Sequence, residues 1–353
     1  MTLASPSLPA LGARVLRRKA VAASGPDLVR TRTFGPDAPL PLVVEPTVAE
    51  IDLVGWAAQS RGWLEERLLE HGALLFRGFG PSSPELLEGF IQATSSGEWA
   101  EYREAATPRS AVSKNIFTST DFPPEQAIYL HNENSHCTSW PQKIYFTCVT
   151  APRRGGATPI ADCRQVYERL PPEVRQRFLD CRWMYVRNFG DGLGFAWQEV
   201  FGADDRDRVE DYCRRNRMVA EWKHGDRLRV RYVRPATAVH PKTGETVWFN
   251  HGTFFHVSTL PDDVREMLLS QVTAEDLPYQ TYYGDGGDVE PETMDTLRRV
   301  YRECTVRFPW QEGDLLMLDN MLAAHGREPF ERPRKILVGM AEPVAALDVR
   351  PGS

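Results

Sequence analysis

Ala127-Ile128-Tyr129-Leu130-His131-Asn132-Glu133 reads as a strand that ends in two metal-binding side chains. Successive residues of a strand point to opposite faces, so His131 and Glu133 share a face and Asn132 points away. Far downstream, Asp314 to Asn320 reads as a second buried strand, and His325 follows from its end in Asp319-Asn320-Met321-Leu322-Ala323-Ala324-His325-Gly326. If these three side chains converge, two neutral imidazoles and one carboxylate occupy one face of a metal. The opposite face stays open, as in non-haem Fe(II) oxygenases. A lone His-x-Glu is as readily a hydrogen-bonded surface pair, so the reading depends on its surroundings.

Strand-like runs surround the motif. Ala73 to Phe79, Lys143 to Thr150, Thr158 to Ile160, Trp183 to Val186, Leu228 to Val233, Thr246 to Asn250 and Lys335 to Met340 carry strand patterning, and Gly155-Gly156 marks a turn. Helical spacing appears from Val48 to Leu69, closed by Gly72, and at Pro84 to Thr94, Pro172 to Cys181, Arg206 to Arg215, Pro261 to Gln271 and Pro291 to Glu303. Asp162 with Gln165 reads as a capping box for a helix ending at Leu170. Isolated strands outnumber βαβ units, which favours a sandwich or barrel with helical insertions over a doubly wound sheet.

The expected organisation is an extended arm over residues 1–45, one catalytic domain over 46–345 with a helical insertion at about 162–305, and a tail over 346–353. The folded body is expected to begin near Thr47. Residues 95–127 form a long turn-rich stretch of the kind that usually carries function.

A net charge of −6 argues against a broad nucleic-acid surface. No apolar run is long enough for a membrane helix, and the N-terminus lacks the apolar core of a signal peptide. The six scattered cysteines form no Cys-x-x-Cys pair and fit a reducing cytoplasm.

The runs Leu130 to Ser135, Arg154-Gly155-Gly156-Ala157-Thr158-Pro159-Ile160-Ala161-Asp162, Phe308-Pro309-Trp310-Gln311-Glu312-Gly313-Asp314 and Asp319 to Phe330 closely resemble the TauD/TfdA-like Fe(II)/2-oxoglutarate-dependent dioxygenases. Within that group the chain is most similar to the branch found beside nonribosomal peptide synthetases, the syringomycin-type amino-acid hydroxylases. The resemblance spans roughly residues 15 to 345 and implies a mainly β fold, a double-stranded β-helix (jelly-roll, cupin-like) core with helical insertions.

It further implies His131, Glu133 and His325 as iron ligands, with Thr158 and Arg334 holding the distal end of 2-oxoglutarate. The spacing from His325 to Arg334 is shorter than in several relatives, which leaves Arg332 and Lys335 as alternatives. An arginine fork suits a carboxylate because two parallel charged hydrogen bonds form at once. Glu133 separates the chain from halogenases of this fold, which resemble the hydroxylases but carry a small residue at the carboxylate position.

The implied reaction consumes O2 and 2-oxoglutarate, releases succinate and CO2, and hydroxylates an sp3 carbon of an amino-acid-like substrate, free or tethered to a carrier protein. Desaturation, cyclisation or C–N cleavage by the same oxidant are alternatives. A zinc hydrolase or a non-catalytic binding module are readings of another class. Asn115, in the long loop, and Arg234, before Pro235, are candidate substrate contacts. His136, His240, His251 and His256 are read as hydrogen-bonded or supporting histidines. The oligomeric state is left open, a homo-oligomer included.

Overall fold

The computed structural model describes residues 26–35, 38–100, 109–190, 194–346, 349 and 352. Most of the arm expected over 1–45 therefore lies outside the described residues. Its remainder belongs to the body. Val29–Arg32 and Leu42–Pro46 pair with each other, and Leu42–Pro46 runs parallel to Ala73–Phe76. The folded body thus begins well before Thr47, because apolar Leu42, Val43 and Val44 are buried against the sheet rather than laid on its surface. Only Ala346, Val349 and Gly352 of the expected tail are described.

Two facing sheets form the core. The larger has seven strands in the order Val29–Arg32, Leu42–Pro46, Ala73–Phe76, Leu315–Asp319, Ser139–Thr150, Lys335–Ala345 and Phe117–Thr118. The smaller has four, Thr305–Val306, Ile160–Asp162, Ala323–Arg327 and Ile128–His131. Leu75, Ile144, Phe146, Leu316, Leu318 and Val338 of the first meet Ile160 and Ala323 of the second in one apolar cluster. Burial of such side chains, about 1.5–3 kcal/mol each, holds the two layers together. This is the double-stranded β-helix.

The outer face of the large sheet is covered by helices. The run expected as one helix from Val48 to Leu69 is two, Leu53–Gln59 and Arg61–His71, broken at Ser60. Asp52 accepts a hydrogen bond from the Gly55 amide and starts the first helix at Leu53, so the preceding residues stay outside it. Gly72 ends the second in the left-handed conformation, as its position suggested.

The insertion after Ile160–Asp162 is not only helical. It holds a second four-stranded sheet, Val219–Trp222, Leu228–Arg234, Trp183–Phe189 and Tyr279–Tyr283, with helices packed on it. The expected capping box at Asp162 is a different cap. Asp162 accepts from the Arg164 amide and pairs with its guanidinium, and Gln165 takes no part in the cap.

Two expectations about the motif strands change. Strand Ile128–His131 ends at His131, so Glu133 lies in the turn that follows. His325 does not trail the strand at Leu315–Asp319. It belongs to a separate strand, Ala323–Arg327, in the opposite sheet. Asp319 turns the chain between them by accepting from the amides of Met321 and Leu322, at 2.9 and 3.1 Å. This local side-chain turn is invisible to a periodicity count.

Candidate metal centre

The small sheet sets His325 directly opposite His131 in antiparallel register. That register delivers two imidazoles to one place from positions almost two hundred residues apart. Glu133 reaches the same place by a different device. Its backbone amide donates to Asn320 Oδ1 at 2.8 Å, and Asn320 Nδ2 donates back to its carbonyl at 2.9 Å. Asn132 Nδ2 donates to the Asn320 carbonyl at 2.7 Å. Asn320 therefore clamps the His-x-Glu turn against the loop that precedes His325. Shared facing of His131 and Glu133 comes from this clamp and not from strand alternation.

Glu133 Oε2 lies 3.6 Å from His325 Nε2 and 4.0 Å from His131 Nε2. One ligand atom from each of the three buried residues lies within 4.8 Å of the others. His131 Nδ1 is 2.8 Å from the Tyr129 carbonyl, so it carries the proton and leaves the Nε2 lone pair directed at the cluster. The ring of Phe254 stacks on His131 with centroids 5.0 Å apart, and Phe146 packs 5.3 Å from His325. Two imidazole nitrogens and one carboxylate oxygen, with no fourth protein ligand among the described residues, fit a divalent iron that keeps exchangeable positions.

Electrostatics support the same protonation states. Burial, with His325 beside it, holds His131 well below the usual imidazole range. Burial alone would raise Glu133, but its surroundings, the Arg109 guanidinium foremost, outweigh it, so its carboxyl stays well below the usual carboxylate range. Arg109 Nη2 donates to Glu133 Oε2 at 2.7 Å.

A pocket opens beside the cluster, lined by His131, His325, Thr158, Arg109, Arg327 and Arg334. Arg334 lies half-buried, its Nε donating to the Gly156 carbonyl at 3.0 Å and its Nη1 to Ser119 Oγ at 3.3 Å, with the Phe330 ring 5.3 Å beneath it. Among the described residues no carboxylate pairs with it. Burial and nearby Arg327 lower its guanidinium to about 10, still charged at neutral pH. Gly156 has φ +66°, and a Cβ there would meet Phe330 Cβ at 2.8 Å and Arg334 Cδ at 3.1 Å. The glycine turn thus makes room for the arginine. Thr158 Oγ1 accepts from Trp310 Nε1 at 3.1 Å, which ties the Phe308-Pro309-Trp310 run to the pocket wall. Arg332 and Lys335 are exposed and do not line the pocket.

Residues 36–341 match the family described as taurine catabolism dioxygenase TauD, TfdA family. The chain belongs to the TauD/TfdA dioxygenase family. It is 36% identical over 281 residues to the dapdiamide synthesis protein DdaC of Enterobacter agglomerans, covering 80% of this chain and 85% of that one. A clavaminate synthase-like protein of Arabidopsis thaliana is 30% identical over 322 residues, covering 86% and 94% of the two chains. In structure the chain is similar to PvcB, described as an Fe, alpha-ketoglutarate dependent oxygenase from an isonitrile synthetic pathway. The TM-score is 0.55 at 17% identity, over 93% of this chain and 98% of PvcB, a likeness of fold.

Family membership removes the zinc-hydrolase and binding-module readings. Within this TauD/TfdA chain the candidate substrate contacts fare differently from the ligands. Asn115 sits in the turn between Ala111 and Phe117 and does not line the metal pocket. Arg234 donates to the carbonyls of Val233 and Asn216, lies against the Tyr232 ring and does not line the metal pocket. His240 pairs with Asp319 at 3.1 Å and His256 caps the turn at Ser258, both ordinary hydrogen-bonded histidines. Gly326 follows His325 in the same strand. A Cβ there would lie 2.6 Å from the Ile128 carbonyl, so the backbone that approaches closely is the neighbouring strand.

Two residues escaped the sequence reading, and a third, His251, was read only as a supporting histidine. Arg109 lies in the long loop whose length alone signalled function. Asn320 was visible only as part of a motif. His251 packs 4.7 Å from His131 and from His136, with Nδ1 3.1 Å from the Asn132 carbonyl. His131, His136 and His251 are all held well below the usual range, with burial the largest cause in each.

These three histidines set a pH dependence. A base whose folded value is depressed takes up its proton in the unfolded chain first, near pH 6.5, so stability is full above that value and is lost as pH falls below it. Each histidine contributes a slope of about 1.4 kcal/mol per pH unit. Thermal melting of metal-free protein between pH 7.5 and 5.5 should show a falling Tm, and His136→Gln should flatten that fall. A Tm indifferent to pH over this window would contradict the buried neutral assignment.

Proposed function

We propose that this TauD/TfdA dioxygenase binds Fe(II) through His131, Glu133 and His325, takes 2-oxoglutarate against Arg334 and Thr158, and hydroxylates an amino-acid-like small molecule in natural-product biosynthesis. The observation that carries the reading is the buried His-Glu-His cluster sharing a pocket with an arginine that has no acidic partner among the described residues. Similarity to a dapdiamide synthesis protein supports the metabolic setting.

Bound iron with 2-oxoglutarate would supply the oxidising chemistry, with release of succinate and CO2. The chain's own residues bind and orient. His131 offers a neutral Nε2 lone pair, its Nδ1 proton held by the Tyr129 carbonyl, and His325 turns its Nε2 toward the same point. Glu133 offers a charged oxygen at neutral pH, held by the Arg109 guanidinium beside it. Arg334 presents a charged fork to a distal carboxylate, and Thr158 a hydroxyl beside it. Phe146 and Ile128 give apolar wall to a pocket otherwise lined mostly by polar and charged groups. Retention of the Glu133 carboxylate favours hydroxylation over halogenation.

Six free cysteines and the lack, among the described residues, of any helix long and apolar enough to cross a membrane support a cytoplasmic setting. Anaerobic reconstitution with Fe(II) and 2-oxoglutarate, then admission of oxygen with free and carrier-bound amino acids, tests the function. Succinate formation with a matching mass gain of one oxygen is the expected result. Substrate-dependent mass change without 2-oxoglutarate would overturn it.

A further inference from the structure

Arg109 enters the metal centre from the turn-rich stretch and takes hold of an atom that a metal needs. Its Nη2 donates to Glu133 Oε2 at 2.7 Å, and that same oxygen lies 3.6 Å from His325 Nε2 and 4.0 Å from His131 Nε2. The Arg109 and Glu133 side chains are only 4% and 7% exposed. Nη1 of Arg109 rests 3.9 Å from Met340 Sδ in the strand Lys335–Ala345, so the guanidinium is held from a second side. A carboxylate oxygen has lone pairs for two partners, and the contact therefore leaves the ligand position open. It does set a fixed positive charge against the oxygen on which a divalent cation would sit, because an arginine keeps its charge at neutral pH.

The rest of the pocket carries the same sign. Arg109, Arg327 and Arg334 all line it, and no carboxylate among the described residues does. Arg327 donates to the neutral backbone carbonyls of Phe122, Pro123 and Gln126, and the exposed Glu125 lies close enough to favour its charge. Arg334 donates to the Gly156 carbonyl and to Ser119 Oγ, again neutral groups. Partly buried like charges repel more strongly than charges at an open surface. A divalent cation that enters alone is opposed by these guanidiniums, with Arg109 set on its own ligand oxygen. A dicarboxylate is attracted by them.

We infer that Arg109 is a positioning residue that makes the two ligands of this pocket depend on each other. It opposes a metal ion that arrives alone and, together with Arg334, favours a dicarboxylate that arrives first. The inference rests on the proposed function for the identity of that dicarboxylate, 2-oxoglutarate. With the dianion in place its charge offsets the guanidiniums, and the metal gains affinity. By linkage the metal strengthens 2-oxoglutarate by the same factor. Any direct contact between the two ligands is common to all variants, so substitution of Arg109 isolates its share. An ordinary supporting partner of a metal ligand acts with the opposite sign, since its removal costs about 10–100-fold in metal affinity. The sign of the effect separates the two roles.

The test uses the full chain freed of metal, with binding read directly and without turnover. Mn(II) serves as the metal probe, followed by loss of its free-ion paramagnetic resonance signal; it binds such sites weakly enough for a change of either sign to be read. Calorimetry follows 2-oxoglutarate. Wild-type protein should bind 2-oxoglutarate saturably with no metal present, and should bind Mn(II) about 5–150-fold more tightly with saturating 2-oxoglutarate than without. Arg109→Gln should tighten Mn(II) binding in the absence of 2-oxoglutarate by about tenfold, weaken 2-oxoglutarate binding to metal-free protein, and shrink the coupling. Arg109→Lys keeps the charge and should stay near wild type in all three. Weaker or unchanged Mn(II) binding in folded Arg109→Gln would overturn the inference, and Arg109→Lys behaving like Arg109→Gln would assign the effect to shape and overturn it as well. So would wild-type protein that takes up 2-oxoglutarate only after Mn(II), an outcome that needs no variant to fold. If Mn(II) binds equally to wild type and His131→Ala, or 2-oxoglutarate fails to bind even with Mn(II) present, the proposed function fails instead.

Discussion

Replacing His131, His325 or Glu133 by alanine should strip iron from the protein and abolish succinate formation. The expected loss exceeds the roughly 10–100-fold that removal of a supporting residue around a metal costs, because a direct ligand is gone. Each substitution leaves two ligands where three were held by the sheet register and the Asn320 clamp. Fold loss is not the cause expected. The three side chains lie at the pocket edge, and the apolar cluster between the sheets does not contain them. Metal content after gel filtration, succinate yield and metal-free melting separate the effects. A Glu133→Ala protein that keeps iron and makes succinate in a substrate-dependent way would refute the ligand set.

Arg334→Gln should raise the KM for 2-oxoglutarate by about 30–1000-fold, corresponding to about 2–4 kcal/mol for a charged hydrogen-bonded pair broken in a desolvated pocket. The side chain is already held in place by Gly156, Ser119 and the Phe330 ring, so little ordering remains to be done when a carboxylate arrives. Arg334→Lys keeps the charge and loses the fork, and should fall between wild type and Gln. Arg332→Ala and Lys335→Ala remove exposed charges outside the pocket and should alter KM by about twofold at most. Steady-state succinate formation against 2-oxoglutarate concentration reads all four. A large effect at Arg332 or Lys335 with none at Arg334 would reassign the site.

Much of the site was legible because its residues lie in short, dense motifs. His131, Glu133, His325, Thr158 and Arg334 each stand in a run whose residue types make chemical sense together. What failed was the local geometry assigned to those runs. Strand parity was used to place Glu133, yet the strand stops at His131 and hydrogen bonds to Asn320 set the carboxylate. The strand carrying His325 was merged with its predecessor because Asp319 makes the turn with a side chain, and such turns leave no periodic trace. Arg109 could not be found at all. An arginine in a long loop has no pattern, and its role follows only from a 2.7 Å contact with Glu133.

The substrate contacts mark the other limit. Asn115 and Arg234 were chosen for position near motifs, and proximity in sequence carries little information about proximity in space.

By itself, then, the amino-acid sequence determined the family, the β-rich core and the donor atoms available for a metal, since residue chemistry and local pattern are properties of short segments. Only the tertiary structure decided how those donors converge and which of three cations faces the pocket. Those depend on strand register across nearly two hundred residues and on side-chain turns, and long-range pairing is written in no single stretch of the chain.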